Sequence, residues 1–174
     1  SIAKANNTLE LFAKKCIRLS GGRQAIIPII VYFLAAILAA VGPGNISIAA
    51  LLGPIVMAIA SQTQIPSILM AEILILGAIA GGISPIAPNG LVGVTFAAEQ
   101  GLDTAAISWI NQIISSTLFA IVVYLVGGGL KLRGQKAEIG EVEPFNREQK
   151  ITLAGIVALV ISVIFFKINV GFAG

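Results

Sequence analysis

The chain has 174 residues, of which 57% are hydrophobic and only 11% are charged. A soluble domain carries about 25% charged residues, so this composition excludes an ordinary water-soluble fold and indicates an all-α integral membrane protein. The net charge of +3 lies in blocks beside apolar runs rather than in a nucleic-acid-binding patch, and the absence of histidine excludes a catalytic triad or a His-ligated zinc site within this chain.

Residues 1–23 are predicted to form an amphipathic helix at the membrane interface, with lysines opposite an apolar face. Two apolar runs follow, residues 25–41 and 46–60, separated by Gly42-Pro43-Gly44-Asn45. As helices they would be about 25 Å and 22 Å long, shorter than a hydrocarbon core of about 30 Å. The lengths therefore favour a re-entrant helical hairpin over residues 25–60, and two short tilted spans are the alternative.

The next apolar run, residues 66–98, would overshoot the bilayer as one unbroken helix. Two prolines and three glycines between residues 81 and 90 interrupt it, so we predict a discontinuous transmembrane helix with an unwound centre. A conventional span is predicted at residues 104–126, where Trp109 and Tyr124 have the spacing of interfacial anchors. Its polar stripe, which includes Ser108 and Ser115, either faces a cavity or hydrogen-bonds neighbouring helices.

Residues 131–150 form the predicted polar linker, and residues 151–174 contain a last span and the beginning of a further helix. Five basic residues lie between Lys4 and Arg23, and five more lie between Lys131 and Lys150. The positive-inside rule places both blocks in the cytoplasm. The chain begins in the predicted interface helix and ends inside an apolar run. We therefore expect it to be a fragment of a longer protein.

The two breaks predict a binding site, because non-helical backbone inside a membrane is tolerated only where protein buries it or a water-filled cavity solvates it. In secondary transporters, paired breaks bind a cation through oxygen atoms and an anionic substrate through helix N-termini. No catalytic residue or organic cofactor is expected. The expected binding residues are Gly42, Gly44, Asn45, Ser47, Ser84, Ala87, Pro88, Asn89 and Gly90, of which Asn45, Ser47, Ser84 and Asn89 are candidate Na⁺ ligands.

Two runs carry a family resemblance: AIIPIIVYFLAAILAAVGPGNISIAALLGPIVMAIA at residues 25–60 and GAIAGGISPIAPNGLVG at residues 77–93. They resemble the N-terminal half of the dicarboxylate carrier MatC family, within the ion transporter superfamily of divalent anion/sodium symporters, and the resemblance extends over most of the chain. It implies one half of an inverted-repeat secondary transporter, with residues 24–130 as the transport unit of the first repeat and residues 151–174 as the start of the second.

The resemblance implies ion-coupled transport of small dicarboxylates, such as malonate or malate, across a bacterial-type inner (cytoplasmic) membrane. The expected partners are this substrate, the lipid bilayer, the rest of the chain and a second copy in a homodimer. Where sodium-coupled members carry Ser-Asn-Thr at the hairpin tip, this chain has Gly-Pro-Gly-Asn-Ile-Ser, which leaves Na⁺ and H⁺ open as the coupling ion. A cation/proton antiporter that uses Glu72, or a non-transporting membrane scaffold protein, is the alternative function.

Overall fold

The structure is a computed structural model that describes residues 21, 23–41 and 44–135. The predicted interface helix up to residue 20, the tip residue Gly42, the linker beyond residue 135 and the last span lie outside the described residues. Within these residues the regular elements are all helical. They are a 3-10 turn Gln24–Ile26, α1 Ile27–Val41, α2 Asn45–Thr63, α3 Ser67–Gly82, α4 Pro88–Glu99, α5 Ala105–Val126 and a second 3-10 turn Gly129–Leu132.

In the described part of the chain, three helical segments are long and apolar enough to cross a membrane: Gln24–Val41, Asn45–Thr63 and Ala105–Val126. The prediction of a helical membrane protein is therefore confirmed. Helix α2 continues three residues beyond the predicted end at residue 60, which gives it a length of about 28 Å. A helix of that length could cross the whole membrane or form one helix of a re-entrant hairpin. The re-entrant hairpin therefore stays a prediction.

The interruption predicted between residues 81 and 90 is present. Helix α3 ends at Gly82, and α4 begins at Pro88. Pro88 occupies the first turn of α4, where its missing N–H costs nothing and its fixed φ suits the helix. Between the two helices, the Ser84 amide donates to the Gly81 carbonyl and the Ala87 amide donates to the Ser84 carbonyl, each at 2.9 Å. The loop is therefore ordered by its own hydrogen bonds.

Helix α3 lies at the centre of the bundle and packs against α1, α2 and α5. Gly77 of α3 faces Tyr32 of α1, and Gly81, one turn later, faces Ala36, so these two helices run parallel. Gly82, at the end of α3, faces Asn45 at the start of α2, and Leu69, near the start of α3, faces Gly127 just after α5. Helices α2 and α5 consequently run antiparallel to α3. The buried core contains mostly aliphatic side chains, including Ile48, Ile59, Leu69, Met70 and Ile73.

Helices α1 and α3 approach each other to backbone contact. Gly77 and Gly81 are four residues apart and therefore share one face of α3. A Cβ on Gly77 would lie 3.0 Å from the Tyr32 Cα, and a Cβ on Gly81 would overlap the Ala36 carbonyl oxygen. This is the small-residue packing by which membrane helices associate, since small residues allow the backbones to come close.

The substitution Gly81→Ala is expected to lower the free energy of unfolding by about 2 kcal/mol, because the added methyl group meets backbone atoms that cannot rotate away. An SDS titration of the purified protein, followed by far-ultraviolet circular dichroism, measures this change. Gly53→Ala in α2 is the matched control, since its Cβ would meet no atom of the described residues within 4 Å. Equal stability of the Gly81→Ala variant and the wild type would contradict the close approach of α1 and α3.

Candidate functional site

The two predicted breaks meet in the folded chain. The Asn89 Nδ2 atom, in the first turn of α4, donates a hydrogen bond of 2.9 Å to the Asn45 Oδ1 atom, in the first turn of α2. The two asparagines are 44 positions apart in the chain. Gly82 lies against Asn45 on the other side, because a Cβ on Gly82 would be 2.8 Å from the Asn45 Cβ. The end of α3 and the starts of α2 and α4 therefore converge at one point.

The loop between α3 and α4 is packed tightly behind these asparagines. Ser84 is 1% exposed and Ala87 is fully buried. Both oxygen atoms of Ser84 are used inside the loop, since Oγ accepts from the Ile86 amide at 3.3 Å and the carbonyl accepts from the Ala87 amide. Gly90 must be glycine, because a Cβ there would lie 2.6 Å from the Ile83 carbonyl oxygen and would overlap that of Ser84.

A cavity of about 350 Å³ opens beside the paired asparagines. The N-terminal part of α5 forms its opposite wall and contributes two hydroxyl groups, those of Thr104 and Ser108. From the sequence, Ser108 was expected either to line a cavity or to hydrogen-bond a neighbouring helix. Thr104 was not predicted as a site residue. The residues that line this cavity are Asn45, Ile79, Ile83, Asn89, Gly90, Gly93, Val94, Thr104, Ala105 and Ser108.

Of the predicted site residues, Asn45, Asn89 and Gly90 line the cavity. Gly44 lies next to Pro88, since a Cβ on Gly44 would be 3.7 Å from the Pro88 Cδ. Ser47 lies in the first turn of α2 and is not among the lining residues, while Gly42 lies outside the described residues. The roles of all nine residues in binding stay predictions. The structure nevertheless brings the first break, at Gly44 and Asn45, into contact with the second, at Pro88 and Asn89.

The electrostatics of the cavity come from the backbone. As far as the described residues extend, its lining contains no ionisable side chain. Helices α2 and α4 both begin here, and no side chain of the described residues before them caps their first N–H groups. Each helix N-terminus carries a partial positive charge of about half an elementary charge, and two of them beside one cavity favour a carboxylate.

Oxygen donors for a cation are present at the same point. Asn45, Ile83 and Asn89 line the cavity and carry such oxygen atoms, whereas the predicted ligand Ser84 is buried and does not line it. Neutral oxygen atoms are ligands that a small hard cation accepts, and the binding of Na⁺ here stays a prediction. The Asn45 Oδ1 atom already accepts one hydrogen bond, and it retains a second lone pair for a cation.

Trp109 contributes to the site in a way that the sequence did not indicate. Its Nε1 atom donates a hydrogen bond of 3.2 Å to the Ala80 carbonyl oxygen. In a continuous helix the Ser84 amide would take that carbonyl, but the Ser84 amide donates to Gly81 instead. Trp109 therefore stabilises the broken end of α3, whereas its position near a span terminus alone suggested an interfacial anchor.

The helices and their exposed apolar faces define the class of this protein: it is a helical integral membrane protein. The family follows from comparison, because residues 1–82 match the family model described as dicarboxylate carrier protein MatC N-terminus. The MatC resemblance seen in the sequence is thereby confirmed for residues 1–82, which are similar to the N-terminus of that family. The match is narrower than the resemblance suggested, since it includes the first break at residues 42–45 but ends before the loop at residues 83–87.

No curated protein and no solved structure matches the chain. Its membership of the wider ion transporter superfamily stays a prediction.

Cysteines placed at positions 45 and 89 are expected to form a disulfide, because the side chains of these residues are in direct contact. The test uses the double variant Asn45→Cys/Asn89→Cys in a Cys16→Ser background, oxidised with copper phenanthroline in membranes. Loss of free thiols measures the reaction. The matched control pairs Asn89→Cys with Ser115→Cys, an exposed position two turns along α5 from Ser108. Equal oxidation of both pairs would contradict the contact between the two breaks.

Proposed function

We propose that this chain carries one half of the substrate site of an ion-coupled carrier for small dicarboxylates such as malonate or malate. The family match supports a membrane protein with the N-terminal region of a dicarboxylate carrier. The location of the site and its coupling to an ion depend on one observation, the hydrogen bond that joins Asn45 and Asn89 where two helices begin beside a cavity.

Each part of the site has a role in this proposal. One carboxylate of the substrate binds to the uncapped N–H groups of α2 and α4, where the helix dipoles favour negative charge. The coupling Na⁺ binds to the oxygen atoms of Asn45, Asn89 and the Ser84 loop, close to that carboxylate. The cation and the anion then stabilise each other, which links the binding of one to the binding of the other. The second carboxylate binds to groups contributed by the second repeat.

Proton coupling would require a titrating acid at the site. Among the described residues, Glu72 is the only acid in the interior of a helix, since Glu99 is the last residue of α4. Glu72 is exposed on α3 and does not line the cavity. Sodium symport therefore has the better support. Replacement of Glu72 by Gln should leave uptake and its pH dependence unchanged, whereas loss of pH dependence would favour proton antiport.

Counterflow of labelled malonate in proteoliposomes that contain the full-length protein is expected to require Na⁺. The variants Asn45→Ala and Asn89→Ala are expected to reduce counterflow at least tenfold, because each loses an oxygen donor and the contact that brings the two breaks together. Ser115→Ala is the control, because it removes a polar group that does not line the cavity, and its counterflow should match that of the wild type.

Absence of counterflow for malonate, malate and succinate under Na⁺, K⁺ and proton gradients would contradict the dicarboxylate assignment. Normal counterflow by both asparagine variants would contradict the location of the site while leaving the substrate class intact. A scaffold protein predicts neither counterflow nor binding, although its stability would still respond to both substitutions.

Ser108→Ala is expected to raise the KM for the dicarboxylate about fivefold, because the Ser108 hydroxyl is one of two that line the cavity from α5. Ser115→Ala, the same change about 10 Å further along the helix axis, should leave KM unchanged. Concentration-dependent uptake gives both values. Equal KM values for the two variants would show that the α5 wall does not contact the substrate.

A further inference from the structure

A second cavity lies at the opposite end of the bundle from the paired asparagines, where α1 begins and α5 has ended. Its volume is about 370 Å³. Two arginines, Arg23 and Arg133, contribute to its lining, which contains no carboxylate from the described residues. The residues that line this basic cavity are Arg23, Ala25, Ile26, Leu132, Arg133, Gly134 and Gln135.

The two chain segments that form the basic cavity are joined to each other. The backbone N–H of Gln24 donates to the backbone carbonyl oxygen of Gln135 at 3.3 Å. The Tyr124 hydroxyl donates to the backbone carbonyl oxygen of Ala25 at 3.0 Å. Leu132 is 4% exposed and anchors the segment after α5 in the core. These contacts bring two arginines that are 110 positions apart in the chain to one cavity.

The position of this cavity relative to the spans corresponds to the headgroup layer. Arg23 immediately precedes the candidate span Gln24–Val41, and Arg133 lies seven residues after Val126, the end of another candidate span. Both arginines belong to the basic blocks that the positive-inside rule places on the cytoplasmic side. Basic pockets at this depth between membrane helices are suited to the head groups of anionic lipids.

The chemistry of the lining matches a phospholipid. Guanidinium groups bind phosphate oxygens in a bidentate manner, and they are less strongly hydrated than lysine ammonium groups. Ala25, Ile26 and Leu132 supply apolar surface for the glycerol backbone and the first methylene groups. Gln135, the remaining polar side chain of the lining, offers its amide group to a headgroup hydroxyl.

We propose that the basic cavity binds the phosphate of an anionic phospholipid whose headgroup carries hydroxyl donors, as phosphatidylglycerol does. Arg23 and Arg133 hold the phosphate, the headgroup hydroxyls lie towards Gln135, and the acyl chains continue along the exposed apolar side chains of α1 and α5. This site is separate from the dicarboxylate site, and it does not depend on the proposed transport.

The test measures binding of short-chain phosphatidylglycerol to the full-length protein in a neutral detergent by native mass spectrometry. Phosphatidylcholine, which has the same phosphate but no net charge, is the lipid control. The variants Arg23→Gln and Arg133→Gln are each expected to weaken phosphatidylglycerol binding about tenfold, because each removes a charge-assisted hydrogen-bond pair. Arg133→Lys keeps the charge but loses the bidentate geometry, and it should have an intermediate affinity.

Lys131→Gln is the matched control, since Lys131 is an exposed base two residues from Arg133 that does not line the cavity. Its affinity should stay within twofold of the wild type. Equal weakening by all three Gln substitutions would show diffuse surface attraction and overturn the proposal, as would no weakening by any of them. Complete displacement of the lipid by millimolar inorganic phosphate would assign the site to a free anion and would also overturn it.

Discussion

The backbone contact between α1 and α3 is the constraint on which the rest of the structure depends. Gly77 and Gly81 let the two helices approach until backbone atoms touch, and this contact fixes the height and rotation of α3 inside the bundle. Water does not drive helices together inside lipid, so such close packing replaces the hydrophobic effect as the source of association. Because α2 and α5 also pack on α3, its position determines where the other helices lie.

From this contact the geometry of the site follows step by step. The end of α3 meets the start of α2 at Asn45, and the short loop after α3 returns the chain so that α4 begins at the same place. A helix that stops inside a membrane protein leaves carbonyl groups without partners, and these are costly in an apolar environment. Here the loop satisfies some of them through its own amides, and Trp109 satisfies another. The indole of Trp109 therefore connects α5 to the end of α3, where the helix is interrupted.

Local patterns in the sequence predicted the helices that the structure describes between residues 27 and 126. Proline and glycine act within a few residues, so Pro85, Pro88 and their neighbours by themselves indicate the interruption of the long apolar run. The pairing of Asn45 with Asn89 was expected only in general terms, since contacts between distant segments depend on how whole helices pack. Thr104, Trp109 and the arrangement of Gly77 and Gly81 were missed for the same reason. The last of these did have a signal in the sequence, because two glycines four residues apart in an apolar helix are a packing motif.

The packing of α1 on α3 also has a mechanical consequence. Each glycine sits against one particular backbone group, so α1 cannot slide along α3 without first separating from it. The two helices should therefore move as a rigid body. Helix α2 is held to α3 mainly by aliphatic side chains, which can exchange partners at lower cost. Any opening of the site is therefore expected to move α2 and α4 relative to the fixed pair of α1 and α3.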